Sequence, residues 1–255
     1  MNRYQRQIVL EDVGLIGQKQ LSQTRVLVVG AGGLGAPVLW YLAAAGIGKL
    51  GIVDFDTVES SNLNRQTLYT PGDIGQFKAT CAKNVIQSFN PEIEVNAYDV
   101  MLDLGLALSL IPEYDIIMDC TDHIPTRYVI DDVAYAYGRT TVYGAIYKHE
   151  GQVAVFNHQG SPGYRCLFPD MPSEANAPNC AIAGVLGVLP GVIGSIQANE
   201  AIKVALGHQT TLKGMVLHYD ARHHKTTTIR IPVHASRPDP KTLSDRLKSQ
   251  LTTTV

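Results

Sequence analysis

Residues 24–35, reading TRVLVVGAGGLG, constrain this chain more than any other stretch. A valine-rich run with no polar interruption reads as a strand buried on both faces, and it ends directly in glycines. Residues 34–45 come next, small and apolar with no breaker after Pro37, and read as a helix. The connecting Gly30-Ala31-Gly32-Gly33-Leu34-Gly35 fits G-x-G-x-x-G. Gly32 and Gly33 let the backbone approach a phosphate, and the helix N-terminus offers unpaired N–H donors to an anion. Residues 49–54 form the next strand and end at Asp54, where a carboxylate can accept hydrogen bonds from ribose hydroxyls. The motif indicates a nucleotide without saying which one. Taken alone, it makes a nicotinamide dehydrogenase the default.

The rhythm then repeats. Residues 77–89 read as a helix, 93–98 as extended, 114–120 as a buried strand, 126–137 as a helix and 140–143 as a strand. Strand and helix in alternation predict an α/β fold with a Rossmann-like, doubly wound sheet. The last hundred residues change character. Two pairs of extended runs, 142–147 with 152–157 and 215–220 with 226–231, read as hairpins. The sheet is therefore expected to be mixed, with a parallel nucleotide-binding half and antiparallel hairpins added at the C-terminal half. A polar loop at 169–179 and a helix near 191–206 lie between the hairpins. Residues 1–231 read as one domain, and 232–255, rich in Pro, Ser and Thr, as a loosely attached tail.

Composition removes several classes. Lys plus Arg is 21 against 23 for Asp plus Glu, giving a net charge of −2, so no basic excess exists to neutralise a nucleic acid. The apolar stretch 181–196 is short and broken by glycines and a proline, so no membrane span is expected. The N-terminus lacks a signal-like apolar core, and Cys81, Cys120, Cys166 and Cys180 stand far apart with no C-x-x-C. A cytoplasmic protein is expected.

Beyond the glycine loop the chain is unlike a dehydrogenase. Asp54-Phe55-Asp56-Thr57-Val58-Glu59 leads into Ser61-Asn62-Leu63-Asn64-Arg65-Gln66, then Gly75-Gln76-Phe77-Lys78 and Asp119-Cys120-Thr121-Asp122. With the opening Arg3-Tyr4-Gln5-Arg6-Gln7, with Tyr164-Arg165-Cys166-Leu167, and with the 191–197 segment, this resembles the ThiF/MoeB/HesA family, bacterial relatives of ubiquitin-activating enzymes. The resemblance runs from about residue 3 to about residue 231, in the family's order and spacing.

The resemblance implies ATP- and Mg²⁺-dependent adenylation of a C-terminal carboxylate, with pyrophosphate released. Two anions must meet in such a reaction, so fixed cations are the expected source of rate. By family position Asp54 holds ribose, Asn62 and Arg65 hold phosphate, Lys78 serves the α-phosphate and Asp122 meets Mg²⁺. Asp56 either serves the nucleotide or caps the next turn, and Asp122 has the alternative of capping the helix near Thr126. Cys180 stands where the family carries its reactive cysteine, the alternative being a buried, inert thiol. Cys81 and Cys120 read as core. The family's N-terminal element implies a homodimer in which Arg6 reaches the partner's ATP, against a plain solvated charge. The 183–196 segment is expected in the two-fold contact.

Three departures stand out. Many relatives hold zinc with two C-x-x-C pairs. Here Gly163 replaces the first cysteine, Cys166 remains and the tail has none, so no zinc site is expected, and His208, His218, His223, His224 and His234 read as surface groups. His123 stands where relatives carry asparagine. No rhodanese-like domain is expected to supply a persulfide. The implied substrate is a small ubiquitin-like sulfur-carrier protein ending in Gly-Gly. A peptide or another carboxylate is the alternative, as is a non-catalytic scaffold subunit.

Overall fold

A computed structural model describes residues 3–172, 184–209, 211–232 and 237–253. One eight-stranded sheet, in the order β3-β2-β1-β4-β5-β6-β7-β8, organises them. Its parallel part is β1 (Arg25–Val29), β2 (Lys49–Val53), β3 (Glu94–Tyr98), β4 (Ile116–Asp119) and the start of β5 (Thr140–Tyr147). Beyond β5, strands β6 (Glu150–Phe156), β7 (Met215–Asp220) and β8 (Lys225–Arg230) each run antiparallel to their neighbour. Parallel pairing of β1 with β2 and β4 needs crossovers, and helices supply them.

The period-two alternation along β1 divides the core. Val26 and Val28 face a cluster with Leu39 and Leu42 of α3 (Gly35–Ala45), Ile86 of α4 (Lys78–Phe89) and Ile193 of the long C-terminal-half helix Leu189–Ala205. Leu27 and Val29 face a second cluster with Ala107 of α5 (Leu104–Leu110) and Ile130 and Val133 of α6 (Ile124–Ala136). Both faces of β1 are thus covered, which explains its uninterrupted apolar run. Two N-terminal helices, α1 (Gln5–Ile8) and α2 (Gly14–Gln23), pack on each other, and Gln7 and Gln18 both donate to Ala45 O at the end of α3. Helix α3 ends at Gly46 in the left-handed conformation (φ +81°), where the Tyr4 ring leaves no room for a side chain. A short α7 (Tyr164–Leu167) precedes the long helix, here α8, and α9 (Pro240–Thr253) closes the chain.

The mixed sheet agrees with the sequence expectation. The first hairpin is tighter than expected, because β6 starts at Glu150 and leaves Lys148 and His149 as the turn, with Lys148 at φ +54°.

The C-terminal tail needs correction. Residues 240–253 form a helix that docks on α6 and α5, with Leu247 5% exposed among Leu104, Ile130 and Val133 of the second cluster. Just before it, Arg237 pairs with the buried Asp131 at 2.9 Å, donates to Asn157 Oδ1 at 2.7 Å and lies 3.8 Å over the Tyr135 ring. The segment is attached firmly. Among the described residues, no helix is long and apolar enough to cross a membrane.

Candidate nucleotide site

The loop from Gly30 to Gly35 turns from β1 into α3 at the carboxyl edge of the sheet, and close packing dictates its glycines. A Cβ on Gly35 would sit 2.0 Å from the Gly30 carbonyl, and one on Gly30 (φ +93°) would sit 2.7 Å from the Cys120 carbonyl. Only glycine permits both approaches. Gly33 abuts Pro190 at the start of α8, so the loop is held from the far side as well.

Asp54 at the end of β2 fastens the loop to the sheet. Its Oδ2 accepts from Ala31 N–H at 2.7 Å and its Oδ1 from Asp56 N–H at 2.9 Å. Burial raises its carboxyl above the ordinary range, and these two N–H donors pull in the other direction. Lys78 opens α4 with its side chain 6% exposed, and Nζ meets Asp56 Oδ2 at 2.8 Å. Asp56 is therefore the partner of the candidate phosphate lysine. Tyr69, which no sequence motif flags, ties the two parts together: its hydroxyl donates to Ala31 O at 2.7 Å and lies 3.3 Å from Lys78 O.

Arg65 is half-buried, its Nη1 donating to Ser61 O at 2.8 Å and Asn64 Oδ1 at 3.1 Å. Asn62 is buried, and its Oδ1 accepts from Glu59 N–H at 3.3 Å in a reciprocal cap of the short 3₁₀ turn Ser60–Asn62. Neighbouring Gln66 is 5% exposed, its amide lies against Gly32, and its Oε1 is buried with no hydrogen-bond partner among the described residues. An orphaned buried acceptor beside a glycine cradle, with Lys78 and Arg65 close in sequence and fold, is a donor and acceptor set suited to a nucleotide.

Asp122 stands just past β4, exposed and without a hydrogen-bond partner among the described residues. It does not cap α6. The N-cap position is His123, whose Nδ1 lies 2.8 Å from Thr126 Oγ1. Arg6 is exposed on α1, which Gln7 fastens to Ala45 O at 2.8 Å and Tyr4 to Asn90 at 2.9 Å. Those anchors lie at the far end of α3 from the glycine loop. Eleven residues at about 1.5 Å each separate the two ends by roughly 16 Å.

Cys180 lies outside the described residues, as does His234. Cys81 and Cys120 are buried, and burial pushes both thiols up, away from nucleophilic character. The surroundings of Cys166 do not suit zinc. A Cβ on Gly163 would lie 2.2 Å from Arg237 Nη1 and 2.5 Å from Asp131 Oδ1, so a guanidinium fills the space a second thiolate needs. His218 and His223 each face a local acid, Glu150 and Asp220. Among the described residues, no cluster of three metal-ligating side chains forms.

A glycine cradle at the carboxyl edge of a mixed α/β sheet, with a buried lysine beside it, defines a nucleotide-binding class of protein. The sequence signature described as the ThiF family matches residues 4–240, and the chain belongs to that family. It is 47% identical over 256 aligned positions to the sulfur carrier protein adenylyltransferase of Thermus thermophilus, covering 96% of this chain and 94% of the relative. Over 220 positions it is 48% identical to the probable molybdopterin-synthase adenylyltransferase of Porphyra purpurea, covering 86% of this chain and 58% of the relative. The probable adenylyltransferase/sulfurtransferase MoeZ of Mycobacterium tuberculosis is 44% identical, with 94% of this chain and 61% of the relative covered. The chain thus spans less than two thirds of the length of the last two. Among solved structures, E. coli MccB in complex with MccA-N7isoASN gives a TM-score of 0.79 at 20% identity, covering 92% of this chain and 74% of that one. PaaA gives 0.75 at 23% identity, covering 90% and 72%. Those two likenesses are of fold.

Proposed function

We propose that this chain catalyses ATP-dependent adenylation of the C-terminal carboxylate of a small ubiquitin-like sulfur-carrier protein, with residues 1–231 as the adenylation domain. The observation that carries this reading is the buried Lys78, brought by α4 to the mouth of the loop that Asp54 fastens. The 47% identity to a protein of that named activity, over nearly the whole length of both, supports the substrate class.

The chemistry comes from the charges. A carboxylate oxygen of the carrier attacks the α-phosphorus of ATP, and the bond from that phosphorus to the bridging oxygen breaks. An acyl adenylate forms and pyrophosphate leaves with the electron pair. Lys78 stabilises the growing charge at the α-phosphate, while Arg65 and Asn62 hold the outer phosphates. Asp54 has acceptor capacity left for ribose after its two backbone bonds. Mg²⁺, arriving with the nucleotide, would be held by Asp122 and would supply charge neutralisation. Cys180 belongs to a later acyl or sulfur transfer.

Arg6 acts in a second copy of the chain. Its helix is anchored at the end of α3 away from the glycine loop of its own chain, which supports a role at the phosphates of a neighbour. An apolar groove of about 800 Å³ between α3 and α8, lined by Pro37, Trp40, Tyr41, Phe89, Val192 and Ile196, suits the two-fold contact.

ATP–pyrophosphate exchange tests the activity. Exchange that depends on a carrier protein ending in Gly-Gly is expected. Exchange with a short peptide alone would transfer the proposal to a peptide substrate, and no exchange with either would leave a scaffold role. Mixing inactive Arg6→Ala and Lys78→Ala chains tests the shared site. Recovery of activity after subunit exchange is expected, and a dead mixture would place Arg6 in cis.

A further inference from the structure

One buried charge beside the site has no part in the chemistry above. Arg127, on the first turn of α6, is 7% exposed, and no carboxylate lies within ion-pair distance of it among the described residues. Its Nη2 donates to Thr121 O and, at 3.2 Å, to Gly144 O on the neighbouring β5, and the guanidinium lies 4.8 Å from the Tyr143 ring centroid. Thr121 is gripped on its other polar groups too. Its N–H donates to Asp119 Oδ1 at 3.3 Å, and its hydroxyl accepts from His123 N–H at 3.0 Å.

Burial works against the guanidinium charge, while the Asp119 and Asp122 charges favour it from beyond ion-pair distance, so no direct pair explains its placement between α6 and β5. What the arginine adds is direction. A single nitrogen, Nη2, reaches a carbonyl just past the end of β4 and another within β5, and the first belongs to the peptide that leads into Asp122. Asp122 itself is exposed and has no hydrogen bond to hold it among the described residues, so its place at the strand edge is set by the residues on either side.

We propose that Arg127 is a positioning residue: by holding the Thr121 carbonyl against β5 it fixes the Asp122 carboxylate where it meets the metal-bound phosphates. This rests on the proposed role of Asp122 in holding Mg²⁺. In this role Arg127 touches neither nucleotide nor acyl substrate and acts through Asp122.

Binding of Mn²⁺·ATP to the purified full chain, followed by electron paramagnetic resonance without any acyl substrate, tests this apart from turnover. Asp122→Asn and Arg127→Gln are each expected to weaken binding by about tenfold, the scale for groups that orient metal ligands. The double variant is expected to be no weaker than Asp122→Asn alone, because removing the carboxylate removes what Arg127 positions. A merely structural arginine would instead give additive losses. Arg127→Lys keeps the charge, but its Nζ stops one bond short of the Nη2 that makes both contacts. It should show a smaller loss with the same non-additivity, and it carries the test if the glutamine variant does not fold. Unchanged binding in a cooperatively melting Arg127 variant, or additive losses, would overturn the proposal while leaving Asp122 in place. Unchanged binding in Asp122→Asn would overturn the underlying reading as well.

Discussion

Two ion pairs of nearly equal length behave as opposites in this molecule. Lys78 meets Asp56 at 2.8 Å and Arg237 meets Asp131 at 2.9 Å. In the first, the cation is buried and the acid is 49% exposed at the mouth of the glycine loop. In the second, the acid is 1% exposed, and its remaining capacity is filled by Asn157 and by the backbone N–H groups of Tyr164 and Arg165. Coulomb attraction alone does not distinguish them. The supply of further partners does. The open pair can exchange its acid for a phosphate at little desolvation cost, whereas the closed pair has nothing left to offer a ligand and serves to fasten the C-terminal segment.

Breaking each pair should therefore show in different measurements. Lys78→Ala is expected to lower pyrophosphate exchange by about 10²–10³-fold, or roughly 3–4 kcal/mol of transition-state stabilisation, with little change in melting temperature. Asp56, being half-exposed, is solvated when its partner goes. Near-normal exchange in that variant would erase the distinction. Arg237→Met is expected to do the reverse. It leaves Asp131 buried without its cation and should cost about 3 kcal/mol of stability, while exchange per folded molecule at low temperature stays near normal. A melting temperature equal to that of the parent chain would show that the closed pair fastens nothing.

Asp119 sharpens the contrast, because it is buried like Asp131 yet has no cation within ion-pair distance among the described residues. Burial pushes its carboxyl up to about 6, with the Arg127 charge and the Thr121 N–H drawing it back. A carboxyl whose folded-state value lies above its unfolded value binds protons more readily when folded. Its contribution to stability is therefore greatest below the unfolded value near 3.8, and is lost as pH rises through about 6. Relative to the parent chain, Asp119→Asn should accordingly gain about 2 kcal/mol of stability between pH 4 and pH 7. Melting curves across that range measure it, and a constant gap between the two proteins would show that the group does not titrate there.

The parallel half was legible in the sequence because its central strands β1, β2 and β4 are buried on both faces and run into a glycine or an acid. β1, α3 and β2 lie within a residue of their expected bounds for that reason. The terminal helix was not legible, because Pro, Ser and Thr disguised it. Yet its signals were present. Asp239 accepts from Thr242 N–H at 3.1 Å as a cap, Pro240 opens the helix, and Leu243, Leu247 and Leu251 recur at four-residue spacing. At the candidate site, motifs revealed which residue types gather, while Asp56 as the partner of Lys78 depends on α4 and the β2 edge meeting in space. Arg127 carries no sequence signal, because its role is a bond to a backbone carbonyl and no spacing rule encodes that.

The last strand carries a consequence of its own. All six residues of β8 are exposed, and the outer row of its backbone groups faces no neighbour in the sheet order of the described residues. Such an edge is a template on which identical chains can polymerise. Two copies meeting antiparallel through this edge in full register would set Lys225 of one opposite Arg230 of the other at both ends of the ladder. Like charges facing across a strand pair are repulsive, so this register of edge-to-edge pairing is disfavoured.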